Sequence, residues 1–188
     1  MKRVPNFYIF VLIIFTSVSA VNAQTFAPGV EKTAVAKFEK SVAEYVSRRE
    51  ALESKLPKLS KQASAEEIDR HKKALLKKVL TDRRRAVRGT IFSRDAQQMI
   101  RTMIGSHYSG RDRMELRKEL SEAENKTVRV RVNGVYPEAA ELLEMPPTLL
   151  LVLPQLPKQV RYRFVGTNLL IVDRESHLIV DYMANALP

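Results

Sequence analysis

The chain has no cysteine. That absence excludes a disulfide framework, a thiolate nucleophile, and a lipid-anchored cysteine behind an export signal. Its six glycines are scattered singly, so no loop cradles phosphate in the manner of a nucleotide-binding motif. No Gly-x-Ser-x-Gly elbow exists to present a nucleophilic serine. There are only three histidines, His71, His107 and His177, and no two stand at the spacing that puts a pair of metal ligands on one helix face. Beyond residue 23 there is no apolar run of the roughly 20 residues that a spanning helix needs.

What is present begins with a leader. Residues 1–23 read as a secretory signal peptide: Lys2 and Arg3 form a basic start, 7–15 is an apolar core, and Val21-Asn22-Ala23 fits the small-x-small cleavage pattern. An uncleaved N-terminal anchor is the alternative. Removing 23 of 188 residues leaves 165 (24–188), enough for one domain that buries about 70% of its unfolded surface. That remainder keeps 30 basic against 21 acidic residues, a net charge of +9. An exported, cationic, cysteine-free chain points to the periplasm or the cell exterior. Its partners there would be anionic envelope components or another envelope protein, unless the charge serves only solubility.

The first half, 24–124, carries helical periodicity. After a short linker over 25–29, apolar residues recur at three- and four-residue spacing from Val30 through Phe38, Val42 and Tyr45 to Leu56, and Pro57 ends the pattern. Ser64 and Glu67 form a capping box for a second helix, with Ile68, Leu75, Leu76, Val79, Leu80 and Val87 inward and Gly89 just past its end. Two long helices on a short loop form an antiparallel hairpin. Ser93 caps a third helix that breaks at Gly105, and 111–124 is a charged fourth with Met114, Leu116 and Leu120 to bury.

Near Asn125 the period changes from 3.6 to 2. Val128, Val130 and Val132 alternate with Arg129 and Arg131 before an Asn133-Gly134 turn. The chain closes on strands at 160–165, 169–172 and 178–182; the last two are unbroken apolar runs that need cover on both faces. The short segment 147–153, opened by proline, supplies cover on one face and the long helices on the other. The fold class is therefore α+β, with a helical hairpin and one or two shorter helices first, then a small antiparallel sheet of about four strands over 125–188.

A set of motifs runs through the mature chain: Leu52-Glu53-x-x-Leu56-Pro57-x-Leu59, Ala65-Glu66-Glu67-Ile68-Asp69-x-His71, Gly89-Thr90-Ile91-Phe92, Pro146-Pro147-Thr148-Leu149-Leu150, Tyr162-Arg163-Phe164-Val165-Gly166 and Leu178-Ile179-Val180-Asp181. Taken together they resemble a family of exported bacterial proteins of unknown function. The terminal thirty residues are also similar to a C-terminal module of periplasmic proteins linked to nickel and cobalt homeostasis. That likeness implies no ligand set in this chain.

Candidate sites follow from charge and placement. His177 beside Asp173, Glu175 and Asp181 offers a loose metal set, or else an ordinary polar turn. Asp173 and Asp181 sit at adjacent strand ends, where they serve either acid–base chemistry or turn hydrogen bonds. The end of the second helix gathers Arg83, Arg84, Arg85 and Arg88, without the interleaved aromatics that a nucleic-acid groove requires. If 128–132 pairs beside 160–165, then Arg129, Arg131, Arg161 and Arg163 share one face and form an anion-docking patch, unless acids such as Glu138 and Glu141 neutralise it. The expected function is a non-enzymatic binding or envelope-associated module without a cofactor, and the alternative is a periplasmic metal-responsive accessory protein.

Overall fold

The computed structural model describes residues 28–108, 110–122, 128–137, 145 and 147–187. The leader over 1–23, Glu138, Glu141 and Pro146 lie outside the described residues, as does the side chain of Leu120. The fold is α+β: helices α1 (Pro28–Glu53), α2 (Ala65–Asp82), α3 (Arg94–His107), α4 (Gly110–Glu122) and α5 (Pro147–Val152) precede strands β1 (Val160–Val165), β2 (Asn168–Asp173) and β3 (Ile179–Met183). The strands form an antiparallel meander in the order β1-β2-β3. Among the described residues no helix is long and apolar enough to cross a membrane.

Helix α1 takes in Pro28 and Gly29 and buries a single stripe, Ala34, Phe38, Val42, Tyr45 and Val46, continued by Arg49. Phe38 meets Phe92 with ring centroids 5.8 Å apart. The capping box of α2 is formed: Ser64 Oγ accepts from Glu67 N at 3.2 Å, and Ser64 N donates to Glu67 Oε2 at 2.8 Å.

Helix α2 nevertheless stops at Asp82, earlier than its apolar pattern implies, and Val87 is 67% exposed. The reason is in part tertiary. Asn133 Nδ2 donates to Arg83 O (2.8 Å), while Arg83 Nε donates to Asn133 Oδ1 (3.1 Å) and Nη2 to Val180 O (2.6 Å). A side chain fifty residues away thus shares the Arg83 carbonyl with Ala86 N (2.8 Å), whose turn replaces the next helical bond. Helix α3 begins at the Ser93 cap as expected but passes through Gly105 to His107. Burial of Met99, Ile100 and Ile104 outweighs the roughly 1 kcal/mol cost of a helical glycine. Arg113 Nη2 also donates to Gly105 O at 3.2 Å. In α4, Leu116 is buried while Met114 lies exposed.

The terminal strands are covered on both faces, though not as the sequence suggests. One face, with Val160, Tyr162, Phe164, Leu169, Ile171, Val180 and Met183, joins the helices in the main core. Leu149 of α5 belongs to that same core and packs with α3, so α5 does not cover the second face. The second face, with Val165, Leu170, Val172 and Ile179, is closed by Val128 and Tyr136.

Residues 128–132 form no strand. The segment after them runs beside β3, through Asn133 N to Ile179 O (2.9 Å), Ile179 N to Gly134 O (2.8 Å), Tyr136 N to His177 O (2.7 Å) and one isolated bridge, Val135 to Leu178. Its alternating valines reflect chain draped over an apolar sheet face rather than a ladder with β1. Between β2 and β3 the register slips by one residue at Ile171/Val172. Val180 thereby joins the core while Asp181, next to it, faces the loop after α2.

Candidate metal centre

Along α1 the inner edge runs Tyr45, Arg49, Glu53, each four residues on and so one above the other. At the end of β2 the turn is built by Asp173, whose Oδ1 accepts from Glu175 N (3.0 Å) and Ser176 N (2.9 Å), a side chain standing in for a turn carbonyl. Its Oδ2 accepts from Tyr45 OH (2.8 Å) and Arg49 Nε (3.2 Å). The remaining edge of Arg49 is divided between two acids: Nη1 donates to Glu53 Oε2 and Nη2 to Glu175 Oε2. Arg49 is 4% exposed and Asp173 is fully buried.

Burial opposes the charge on Arg49, but Asp173 first, then Glu53 and Glu175, outweigh it and hold its pKa above the ordinary value. Tyr45 is held protonated chiefly by burial and then by the Asp173 charge, which together push its pKa well up. Burial also raises Tyr162 and Tyr136. A folded pKa above the unfolded value of about 10 gives stability that is complete below pH 10 and is lost as the pH climbs past it. An absorbance titration at 295 nm is therefore expected to show Tyr45, Tyr136 and Tyr162 ionising only together with alkaline unfolding. Early, reversible ionisation of all the tyrosines in folded protein would contradict this.

Helix α2 brings His71 to the same point. Its Nε2 lies 3.5 Å from Glu175 Oε1 and 4.0 Å from Glu53 Oε1. Each glutamate therefore turns one oxygen to Arg49 and the other to His71. One ligand atom from each of Glu53, His71 and Glu175 falls within 4.8 Å of the others. Metal–ligand bonds of about 2.0–2.1 Å at tetrahedral to octahedral angles require separations of about 3.0–3.4 Å, so a small inward movement closes the set. One imidazole with two carboxylates suits zinc, nickel, cobalt or manganese better than calcium or magnesium.

Arg49 orients both carboxylates from behind, as outer-shell partners do. Asp173, Glu53 and Glu175 outnumber Arg49 in this ion-pair cluster, an acid excess that favours a cation. A cleft of about 400 Å³ between Leu56, Leu59, Ala63 and Ala74 opens onto His71. Another of about 340 Å³, between Glu50, Lys158 and Arg174, opens onto Glu53 and Glu175.

The sequence offers a loose metal set around His177 or else an ordinary polar turn. In the structure His177 occupies the turn with φ +55° and lies outside the set, and the His71 side chain is 9% exposed against α1. Of the named acids only Glu175 takes part. Asp173 is the anchor of Arg49, and Asp181 accepts from Gly89 N (3.0 Å), Ile91 N (2.7 Å), Phe92 N (2.9 Å) and Tyr182 N (2.9 Å). Both aspartates are structural. Glu53 and His71 carried one sequence signal, their places four residues beyond Arg49 and within the capped start of α2.

The four arginines of the sheet-face patch come from two segments. Arg129 and Arg131 lie in the segment bonded to β3, whereas Arg161 and Arg163 lie on β1, half-buried near Tyr136. Burial, with Arg163 and Arg174 adding to it, pushes Arg161 down to about 10. The arginines after α2 take several positions. Arg83 turns inward, Arg88 lies over the Tyr182 ring at 4.5 Å, and Arg84 and Arg85 are exposed. Comparison with protein-family models, curated proteins and solved structures finds no match to this chain.

Proposed function

We propose that this chain is an exported metal-binding accessory protein that takes a divalent transition-metal ion at Glu53, His71 and Glu175. The observation that carries the reading is the convergence of these three side chains from α1, α2 and the β2–β3 turn, with Arg49 fixing both carboxylates. The leader pattern over 1–23 supports export to the periplasm or beyond. An imidazole ligand binds as the neutral base, so metal uptake competes with protons.

Titration of the chelator-stripped protein with Zn²⁺, Ni²⁺ and Co²⁺ by calorimetry tests this, and cobalt adds a visible d–d absorption. One ion per chain is expected, with affinity reduced at least tenfold in both His71→Ala and Glu175→Gln. Absence of stoichiometric binding, or equal affinity in His71→Ala, would overturn the proposal.

A further inference from the structure

We propose that the cleft between α1 and the arginine-bearing turn after α2 is a binding site for a small phosphate monoester with an apolar substituent. It does not rest on the metal reading, although Arg49 borders both sites. The cleft measures about 300 Å³, at the lower end of small-molecule pockets, and is bordered by Arg48, Arg83 and Arg85 together with Leu52, Val79 and Val87.

Three observations point to an anion. Arg48 and Arg85 make no ion pair among the described residues, and Asp82 is the acid on the lining. Arg83 is anchored rather than loose: Nε and Nη2 are spent on Asn133 and Val180 O, and its guanidinium lies 5.1 Å from the Tyr45 ring centroid. Its Nη1 donates to nothing among the described residues, leaving a preoriented donor at the cleft. Burial pushes the Arg83 pKa down, and although Tyr45, Asp181 and Asp82 oppose this and Arg48 adds to it, the net shift stays downward, which a bound anion would relieve.

The turn itself is held firmly. Asp181 takes the N–H groups of Gly89, Ile91 and Phe92, and Gly89 sits at φ +88°, a conformation that a side chain would strain. The arginines are therefore presented from a fixed frame, which lowers the ordering cost of binding. Val87, exposed at the rim, and Leu52 and Val79 give the substituent an apolar surface.

The probe is phenyl phosphate, titrated into the full chain at low salt and followed by NMR, against the double variant Arg48→Ala/Arg85→Ala and the single variant Arg84→Ala. Arg48 and Arg85 are exposed, so the double variant folds, and Arg84 lies off the cleft. Expected are saturable binding, a loss of at least tenfold in the double variant, near-native affinity in Arg84→Ala, and weaker binding of inorganic phosphate. No saturation, an unchanged double variant, or an equal loss in Arg84→Ala overturns the site. Sedimentation with phosphatidylglycerol vesicles that is lost in the double variant, without phenyl phosphate binding, overturns it in favour of a lipid headgroup.

Discussion

Replacing Asp181 with alanine is expected to lower stability by about 3–5 kcal/mol, against a total of about 5–15 kcal/mol for a domain of this size. The side chain is fully buried and accepts four backbone N–H groups, of which those of Ile91 and Phe92 are themselves buried. Deleting it leaves those donors with neither protein nor water, at about 1–3 kcal/mol for each fully buried one. Asp181→Asn keeps the shape but turns an amide N–H₂ toward N–H donors, so it recovers only part of the loss. Urea unfolding followed by circular dichroism measures both; a loss below 1 kcal/mol for Asp181→Ala would show that water replaces the carboxylate.

The second large effect is expected at Arg49. Arg49→Met preserves much of the volume but leaves Asp173 fully buried without its cation and sets Glu53 against Glu175, a loss of about 3–5 kcal/mol. Adding Asp173→Asn should return part of it, because the charge that Arg49 offset is then gone. The double-mutant cycle separates this from simple loss of packing: a coupling near zero would mean that the guanidinium acts only through its stem. Since Arg49 also holds two proposed ligands, Arg49→Met should change metal affinity as well as stability.

Local signals in the sequence were legible where local forces decide. The Ser64–Glu67 box and the Ser93 cap mark helix starts, because the satisfied donors lie within three residues. Strand β1 over 160–165 follows from alternation, and its two neighbours from unbroken apolar runs bounded by turn residues. Where partners are remote, the reading fails for identifiable reasons. The end of α2 is held by Asn133 as well as by a local turn at Ala86, and no periodicity in 65–89 announces that remote partner. The valines at 128, 130 and 132 do alternate, yet their segment follows β3 and not β1, since alternation reports a covered face and says nothing of the neighbour. The candidate centre joins Glu53 and His71 to Glu175 across more than a hundred residues, and charged residues on helices look alike until the opposite surface is known.

The reach of these polar contacts bears on when the chain can fold. Asp173 meets Tyr45 across 128 residues and Arg49 across 124, and Asp181 meets the loop after α2 across about 90. The helical half holds an arginine with only Glu53 as a local partner and three loop amides, and their remote partners, Asp173, Glu175 and Asp181, all belong to the β2–β3 hairpin. Such high contact order makes folding late, slow and cooperative rather than segment by segment. A chain built this way closes its buried polar contacts only when the β2–β3 turn and β3 meet the helices together.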